Sequence, residues 1–268
     1  MDVASFDPRP AEAQLLRGRR ALVTGADSGI GQGIAYELAA HGAAVAINHV
    51  GDGATARAMA AEIERGGGRA FPVQMDVSRE GDVVRAFGEA RDVLGGVDLL
   101  VNNAGIESAY DLVDMPLEAF EQVIAVNLVG SFLCAREAAR MMLDQDMRGA
   151  IVNITSVHEQ IPWKRYSHYC ASKGGQKLFG QSIARELAPH GIRVVAVAPG
   201  AIETPINRDV LANPQVKAEV LEQISIGRWG TVDDVARVVA WVASDQAEYV
   251  VGSTIFVDGG MVLYEGFV

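Results

Sequence analysis

Residues 20–34 read RALVTGADSGIGQGI, a short apolar run that leads directly into a glycine-rich turn. After the turn, apolar residues recur at helical spacing at Ile34, Ala35, Leu38 and Ala39, so the segment is typical of a strand followed by a helix. Glycines at such a junction let the backbone approach a pyrophosphate, and the free amides of the helix N-terminus stabilise that anion. The turn alone is weak support, because the same pattern also closes an ordinary strand–helix corner.

Further β-rich runs alternate with longer helical patterns along the rest of the chain. The seven predicted strands are 21–24, 43–48, 70–74, 99–102, 150–154, 193–197 and 254–257. This alternation predicts one doubly wound, parallel α/β sheet with helices on both faces, which is a three-layer domain over residues 19–268. Residues 1–18 contain two prolines and little periodicity, so we expect an N-terminal arm outside the sheet.

Three further motifs follow in a fixed order. They are residues 102–105 (NNAG) after the fourth strand, residues 169–173 (YCASK) in a helical segment, and residues 199–200 (PG) after the sixth strand. Together with the turn at 24–31, they resemble the short-chain dehydrogenase/reductase family over nearly the whole chain. The resemblance implies a Rossmann-like fold and NAD(P)-dependent transfer of a hydride between a nicotinamide and an alcohol or carbonyl carbon.

The resemblance also assigns a cofactor site at the ends of the strands. Its predicted members are Gly25, Asp27, Ser28, Gly29, Ile30, Gly31, Asn48, Asp76, Val77, Asn103, Ala104, Gly105, Tyr169, Lys173, Pro199, Gly200, Ile202 and Thr204. Where the second strand ends, residues 48–52 (NHVGD) show neither an acidic residue for a ribose 2′-hydroxyl nor a basic one for a 2′-phosphate. Asp27 either repels a 2′-phosphate or simply caps the turn. NAD and NADP therefore both stay open, with a slight preference for NAD.

Tyr169 and Lys173 are four residues apart in a helical segment, so both side chains emerge on one face. The pKa of a phenol is ordinarily about 10, and it must fall by roughly 3 units for the phenol to act as a base at neutral pH. We predict that Lys173 and an oxidised nicotinamide lower it, with Tyr169 as general acid/base. Ser156 follows the fifth strand and can hydrogen-bond the substrate oxygen. By the resemblance, Asn127 is the fourth catalytic residue and holds a water that relays the proton.

Glu107 and His158 follow the NNAG turn and Ser156 respectively, so we expect both to contact substrate together with Ser156 and Tyr169. A carboxylate and an imidazole suit a polyol better than an acyl chain. Neither the spacing nor the number of potential ligands suggests a metal site.

Several stretches resemble one branch of the family, the bacterial glucose 1-dehydrogenases. They include 102–107 (NNAGIE), 156–163 (SVHEQIPW) and 258–264 (DGGMVLY). The resemblance implies oxidation of β-D-glucose at its anomeric carbon by a homotetramer. Val50 stands where that branch has a basic residue and Glu203 where it has Asn, so another sugar, a polyol or a small ketone stays open.

Two longer segments have predicted roles outside the chemistry. Residues 202–227 are expected to form a lid over the pocket. The apolar run 253–264 is expected to be an interface strand in a symmetric homotetramer.

Composition restricts the partners and the location. The formal net charge of −11 disfavours nucleic acid and anionic membranes, because a negative field repels phosphate groups. The two cysteines, Cys134 and Cys170, form no disulfide framework, and the N-terminus lacks a signal-peptide pattern. We expect no apolar run to stay free of charges and glycines over the roughly 20 residues of a membrane helix. We therefore expect a cytoplasmic protein with no nucleic-acid or membrane partner.

Two other functions fit parts of this pattern. The first is an NADPH-dependent carbonyl or 3-oxoacyl reductase, for which we would expect positive charge near the entrance. The second is a non-catalytic, nucleotide-sensing Rossmann protein, which would have no need of Ser156, Tyr169 and Lys173 together.

Overall fold

The computed structural model describes residues 5–10 and 13–263, so the predicted arm (1–18) and interface run (253–264) lie partly outside the described residues. One parallel sheet of seven strands forms the centre, in the order β3-β2-β1-β4-β5-β6-β7. The strands are β1 Arg20–Val23, β2 Ala44–His49, β3 Arg69–Gln74, β4 Leu99–Asn102, β5 Gly149–Ile154, β6 Ile192–Pro199 and β7 Thr254–Val257. The predicted strands agree with these bounds to within two residues, and the fold class is confirmed.

Helices cover both faces of the sheet. They are α1 Gly29–Ala40, α2 Ala54–Arg65, α3 Glu80–Leu94, α4 Leu117–Ile124, α5 Gly130–Asp144, α6 Ser167–Leu187, α7 Arg208–Ala212, α8 Pro214–Leu221 and α9 Val232–Ala243. A π-helical turn, Ala125–Val129, joins α4 to α5. The segment predicted as a lid is helical in α7 and α8.

Two hydrophobic cores lie on opposite sides of the sheet, and β1 shows how the sequence produces both. Successive side chains of a strand point to opposite faces. Ala21 and Val23 therefore pack with α1, α2 and α9, whereas Leu22 packs with α3, α5 and α6. Full burial of a side chain such as Leu22 stabilises the fold by roughly 1.5–3 kcal/mol.

The described part of the N-terminal arm lies outside the sheet and packs against the helices α1 and α2. Leu16 is fully buried in the core with α1 and α2. The Phe6 amide donates to the Glu62 carboxylate (3.0 Å), and Arg9 pairs with Glu37 (2.7 Å). These contacts anchor the arm on the outer face of α1 and α2.

The continuous helical run Leu117–Asp144 is long and apolar enough to cross a membrane by length and composition. This corrects the expectation that no run would meet that test. Its second half, α5, places Leu133, Cys134 and Met142 in the core beneath the sheet. Because those contacts are the ones a core helix makes, we interpret the run as part of the globular domain.

The order of winding reverses between β1 and β4, which are neighbours in the sheet but far apart in sequence. In open parallel sheets, ligands bind in the crevice at the carboxyl ends of the strands at such a reversal. The glycine-rich turn follows β1 and the NNAG segment follows β4, so the two motifs meet at this crevice.

Candidate active site

Hydrogen bonds fasten the turn after β1 to the segment after β4. The Thr24 hydroxyl accepts from the backbone amides of Asn103 and Ala104, both at 2.9 Å. The Asn103 carboxamide in turn donates to the carbonyls of Thr24 (2.9 Å) and Gly25 (3.0 Å). These four bonds fix the shape of the crevice, so Asn103 acts on the turn from the neighbouring strand.

The glycines of the turn are required by its geometry. Gly25 and Gly29 have φ of +57° and +53°, in the region that favours glycine. A Cβ at Gly31 would overlap the Gly25 carbonyl oxygen and lie 2.5 Å from Asn103 Nδ2. Thr204, from the loop after β6, lies against Gly29. The loops after β1 and β6 therefore border the same crevice.

These residues fit a dinucleotide. The α1 N-cap, Ser28, makes no side-chain capping bond within the described structure, so the first amides of this 12-residue helix can donate hydrogen bonds to an anion. Asp27, Ser28 and Ile30 are at least partly exposed around this opening. The turn would hold a pyrophosphate, and when bound, a nicotinamide supplies the hydride acceptor or donor.

Asn48, a predicted cofactor residue, has its side chain bound to the protein's own backbone. Its Oδ1 accepts from the Gly25 amide (2.8 Å), and its Nδ2 donates to the Met75 carbonyl (3.0 Å). The side chain is buried, and these bonds direct it into the protein rather than toward a nucleotide. Asn48 therefore shapes the glycine-rich turn, a role that its position in the sequence does not indicate.

The other predicted cofactor residues lie around the same edge. The Asp76 carboxylate accepts from the Ser78 amide (3.0 Å) and hydroxyl (2.7 Å), which orders the turn after β3. Val77 is buried against Gly130. Gly200 packs on Asp258, whereas Ile202 is buried against Gly230. Pro199 ends β6.

Tyr169 and Lys173 both lie on α6, as predicted. Lys173 is only 4% exposed, and its Nζ donates to the Ile154 carbonyl at 2.8 Å. It also donates to Gln176 Oε1 at 3.3 Å and lies 5.7 Å from the centroid of the Tyr169 ring. The ammonium is thus held mainly by β5 and by its own helix.

The protein's own residues raise the pKa of Tyr169 above its ordinary value, through burial first and the charge of Glu107 second. A hydrogen bond with Ser156 opposes this rise but does not cancel it. The predicted lowering involves the charge of an oxidised nicotinamide as well as that of Lys173, so it stays a prediction. Burial lowers the pKa of Lys173 to about 8, and its ammonium is engaged by Ile154 and Gln176. The phenol is consequently held in its protonated form.

Glu107 lies in the same electrostatic environment. Burial raises the pKa of its carboxyl to about 7, against the opposing charge of Lys173. Glu107 in turn raises the pKa of Tyr166 as well as that of Tyr169. Glu107 thus lies close enough to Lys173 and Tyr169 of α6 to exchange electrostatic effects with both, and its contact with substrate stays a prediction.

Ser156 and His158 lie just after β5, facing Tyr169. The Ser156 hydroxyl accepts from the His158 amide (3.2 Å), and the His158 and Tyr169 rings are 6.2 Å apart, edge to face. His158 Nδ1 lies 3.2 Å from the Ile161 carbonyl. Because a carbonyl only accepts, Nδ1 carries the hydrogen, and burial lowers the pKa of the ring and favours its neutral form. His158 Nε2 is then an acceptor.

Asn127 lies in the π-helical turn between α4 and α5 and is fully buried. Its carboxamide accepts from the Ile106 amide (2.9 Å) and donates to the Ile106 carbonyl (3.0 Å). It also donates to the Ser172 hydroxyl at 3.0 Å. Asn127 thus joins α6 to the loop that carries Gly105 and Glu107, and a Cβ on Gly105 would lie 3.4 Å from Asn127 Oδ1 and 3.7 Å from Lys173 Nζ.

Two further groups at the site are absent from the residues predicted from sequence. Trp163 stacks between His158 (4.5 Å) and Tyr166 (3.6 Å), forming an aromatic wall beside Tyr169. Gln176 is fully buried beside Lys173. The sequence feature that could have identified Gln176 is its position three residues after Lys173, on the same face of the helix.

Known proteins resemble the chain over nearly its full length. A family model described as enoyl-(acyl carrier protein) reductase matches residues 25–262. The chain is 45% identical over 252 residues to 3beta-hydroxysteroid dehydrogenase 1 of Eggerthella lenta, covering 94% of this chain and 97% of that relative. It is 38% identical over 250 residues to glucose 1-dehydrogenase 2 of Bacillus subtilis, covering 93% and 96%.

A solved structure agrees with this relationship. The crystal structure of a short-chain type dehydrogenase/reductase from Mycobacterium marinum matches with a TM-score of 0.88 at 36% identity, covering 94% of this chain and 99% of the other. The matches agree with the site, where the glycine-rich turn and the NNAG segment lie at the same sheet edge as Ser156, Tyr169 and Lys173. Together they identify the family of the chain. The chain belongs to the short-chain dehydrogenase/reductase family and is an NAD(P)-dependent dehydrogenase acting on CH–OH donors.

Proposed function

We propose that this dehydrogenase oxidises a hydroxyl of a small cyclic polyol, with a sugar such as β-D-glucose as the first candidate. The observation that carries the proposal is the presence of two polar groups beside Tyr169. They are the Glu107 carboxyl and the free Nε2 of His158. A substrate with several hydroxyls satisfies both.

An apolar substrate would leave these groups without partners. A buried polar group that loses its partner costs about 1–3 kcal/mol, and more when it is charged. Glu107 and His158 are both largely buried, so each would incur that cost. The pair therefore favours hydroxyl-rich rings over acyl chains or simple ketones.

The chain's own residues handle the proton. In this proposal the Ser156 hydroxyl hydrogen-bonds the reacting oxygen, and the Tyr169 hydroxyl exchanges the proton with it. Lys173 supplies positive charge beside the phenol. Trp163 and Tyr166 stack beside Tyr169, where they would reduce the access of water.

A fused-ring alcohol such as a 3β-hydroxysteroid is a second candidate. The aromatic wall of His158, Trp163 and Tyr166 offers a flat apolar surface beside Tyr169. The 45% identity to a steroid dehydrogenase supports the same candidate.

We further propose a preference for NAD and a homotetrameric assembly. Val50 is 61% exposed after β2, where a cation for a 2′-phosphate would be expected. β7 is an edge strand whose four residues are all half-buried, as suits an interface strand. Static light scattering tests the assembly, and a monomeric mass would contradict it.

The decisive experiment follows absorbance at 340 nm with NAD and with NADP. The panel contains β-D-glucose, a 3β-hydroxysteroid and, with NADPH, a 3-oxoacyl thioester. The matched sugar control is 1,5-anhydro-D-glucitol, which lacks the anomeric hydroxyl. We expect turnover of glucose or a related sugar and a raised KM for the sugar in His158→Ala. Turnover of only the steroid would select the second candidate, and turnover of only the thioester would reject both.

A further inference from the structure

The catalytic lysine has few free hydrogen-bond donors. An ammonium carries three N–H groups. Lys173 Nζ commits one to the Ile154 carbonyl (2.8 Å) and another to Gln176 Oε1 (3.3 Å). One N–H group is left for the phenol or a ribose hydroxyl. The Ile154 carbonyl and Gln176 Oε1 therefore determine the direction of that remaining N–H group.

Gln176 is itself held in one orientation by α5. Its Nε2 donates to the Ser131 hydroxyl at 2.8 Å, and that hydroxyl donates to the Asn127 carbonyl at 2.7 Å. Because the Ser131 hydrogen is used on a carbonyl, its oxygen must accept from Gln176. The carboxamide nitrogen therefore faces Ser131, and the oxygen must face Lys173.

The chain of bonds runs in a single donor direction from the Lys173 ammonium to the π-helical turn. In that turn the Gly130 amide donates to the Ala125 carbonyl, five residues back. The Asn127 carbonyl accepts a hydrogen bond from the Ser131 hydroxyl, one helical turn further along. Gln176, Ser131 and Asn127 are each at least 96% buried, so no bulk water competes for these bonds.

We propose that Gln176 is a positioning residue for the catalytic lysine, and that Ser131 sets the orientation of its amide. The oxygen of Gln176 stabilises the charged form of Lys173 and aims its remaining N–H toward the reacting groups. Gln176 touches neither substrate nor nucleotide in this role. The proposal depends on the dehydrogenase activity and not on which alcohol is the substrate.

Other titratable groups also act on Lys173 and must stay constant in the test. Glu107, from the loop after β4, and Glu159, from the turn after β5, both favour its charged form. Glu159 is paired with Lys177 at 3.1 Å. Tyr169 is the titratable group next to it on α6. The test therefore uses substitutions that leave all of these residues in place.

The test compares two substitutions with opposite electrostatic effects. Gln176→Met keeps the length of the side chain but removes the acceptor, whereas Gln176→Glu places an anion beside the ammonium. We expect the alkaline limb of the kcat/KM profile, which reports loss of the lysine proton, to move down by about one pH unit in Gln176→Met. It should move up in Gln176→Glu, and kcat of Gln176→Met at neutral pH should fall roughly tenfold.

Ser131→Ala is the second line of the test, because it leaves Gln176 in place and frees its amide to rotate. Its alkaline limb should shift in the same direction as that of Gln176→Met. Gln181→Met, on the same helix and only partly buried, is the matched control and should overlay the wild type. Thermal unfolding at each pH verifies that the variants are folded.

A purely structural role predicts a different outcome. The proposal would be overturned if the alkaline limb of the kcat/KM profile stayed at its wild-type position in both Gln176 variants. It would also be overturned if the limb moved in the same direction in both. The profiles use whichever alcohol the wild type oxidises, so a failed sugar assignment leaves this test intact. A shift in opposite directions supports the positioning role whatever the substrate is.

Discussion

The Glu107 carboxyl makes the stability of this protein depend on pH around neutrality. Burial raises its pKa from 4.5 to about 7, a difference of about 2.5 pH units. Because the folded pKa lies above the unfolded one, the folded state binds the proton more tightly. This contribution to the free energy of unfolding is complete below about pH 4.5 and is lost as pH rises through about 7. At about 1.4 kcal/mol per pH unit, the loss is at most roughly 3 kcal/mol, and less where solvent reaches the carboxyl.

Glu107→Gln removes this titration without changing the size of the side chain. For a chain of this length, 1 kcal/mol corresponds to roughly 2–4 °C in Tm. The variant should therefore gain several degrees relative to the wild type between pH 5 and pH 8, measured by circular dichroism during heating. The comparison uses the change with pH, because the substitution also removes a carboxylate that stabilises charged Lys173.

Glu118→Gln is the matched control, since Glu118 is exposed on α4. Its Tm difference from the wild type should stay constant over the same range. If Glu107→Gln also showed a constant difference, the carboxyl would not be strongly desolvated.

Three further outcomes follow from the site. Tyr169→Phe should lower kcat by about 10²–10⁴-fold while the nucleotide Kd, measured by fluorescence, stays unchanged; full turnover would remove its acid/base role. Gly31→Ala should weaken nucleotide binding and lower Tm, because its Cβ meets the Gly25 carbonyl; Gly88→Ala on α3, where the Cβ has open space, should instead raise stability by about 0.5–1 kcal/mol. Val50→Arg should shift the ratio of kcat/KM toward NADP, and an unchanged ratio would place the 2′-phosphate elsewhere.

The periodic parts of the sequence predicted the fold well, for a clear physical reason. Val83, Phe87, Ala90 and Leu94 recur at helical spacing, and all four are buried on one face of α3. Strand ends in a parallel sheet collect at one edge, so the order of strands and motifs along the chain is enough to bring Ser156 near Tyr169. Local pattern therefore predicts which face and which edge a residue occupies.

Contacts with distant backbone were not predictable in this way. Asn48 is held by the Met75 carbonyl, 27 residues further along the chain, so its sequence position at the end of β2 suggested a ligand contact instead. Likewise, spacing places Lys173 on the same face as Tyr169 but does not fix its side-chain torsions. Its direction depends on the Ile154 carbonyl and on Gln176, which pairs with α5.

The proton chemistry of this site belongs to a set of groups and not to Tyr169 alone. A phenol whose pKa is raised by burial and by Glu107 stays protonated at neutral pH, so accepting the proton of an alcohol requires additional positive charge beside it. Two neighbours have pKa values close to neutrality, Glu107 at about 7 and Lys173 at about 8. Protonation of Glu107 removes the negative charge that opposes the phenolate. The charges of Glu107 and Lys173 therefore both bear on the acidity of Tyr169.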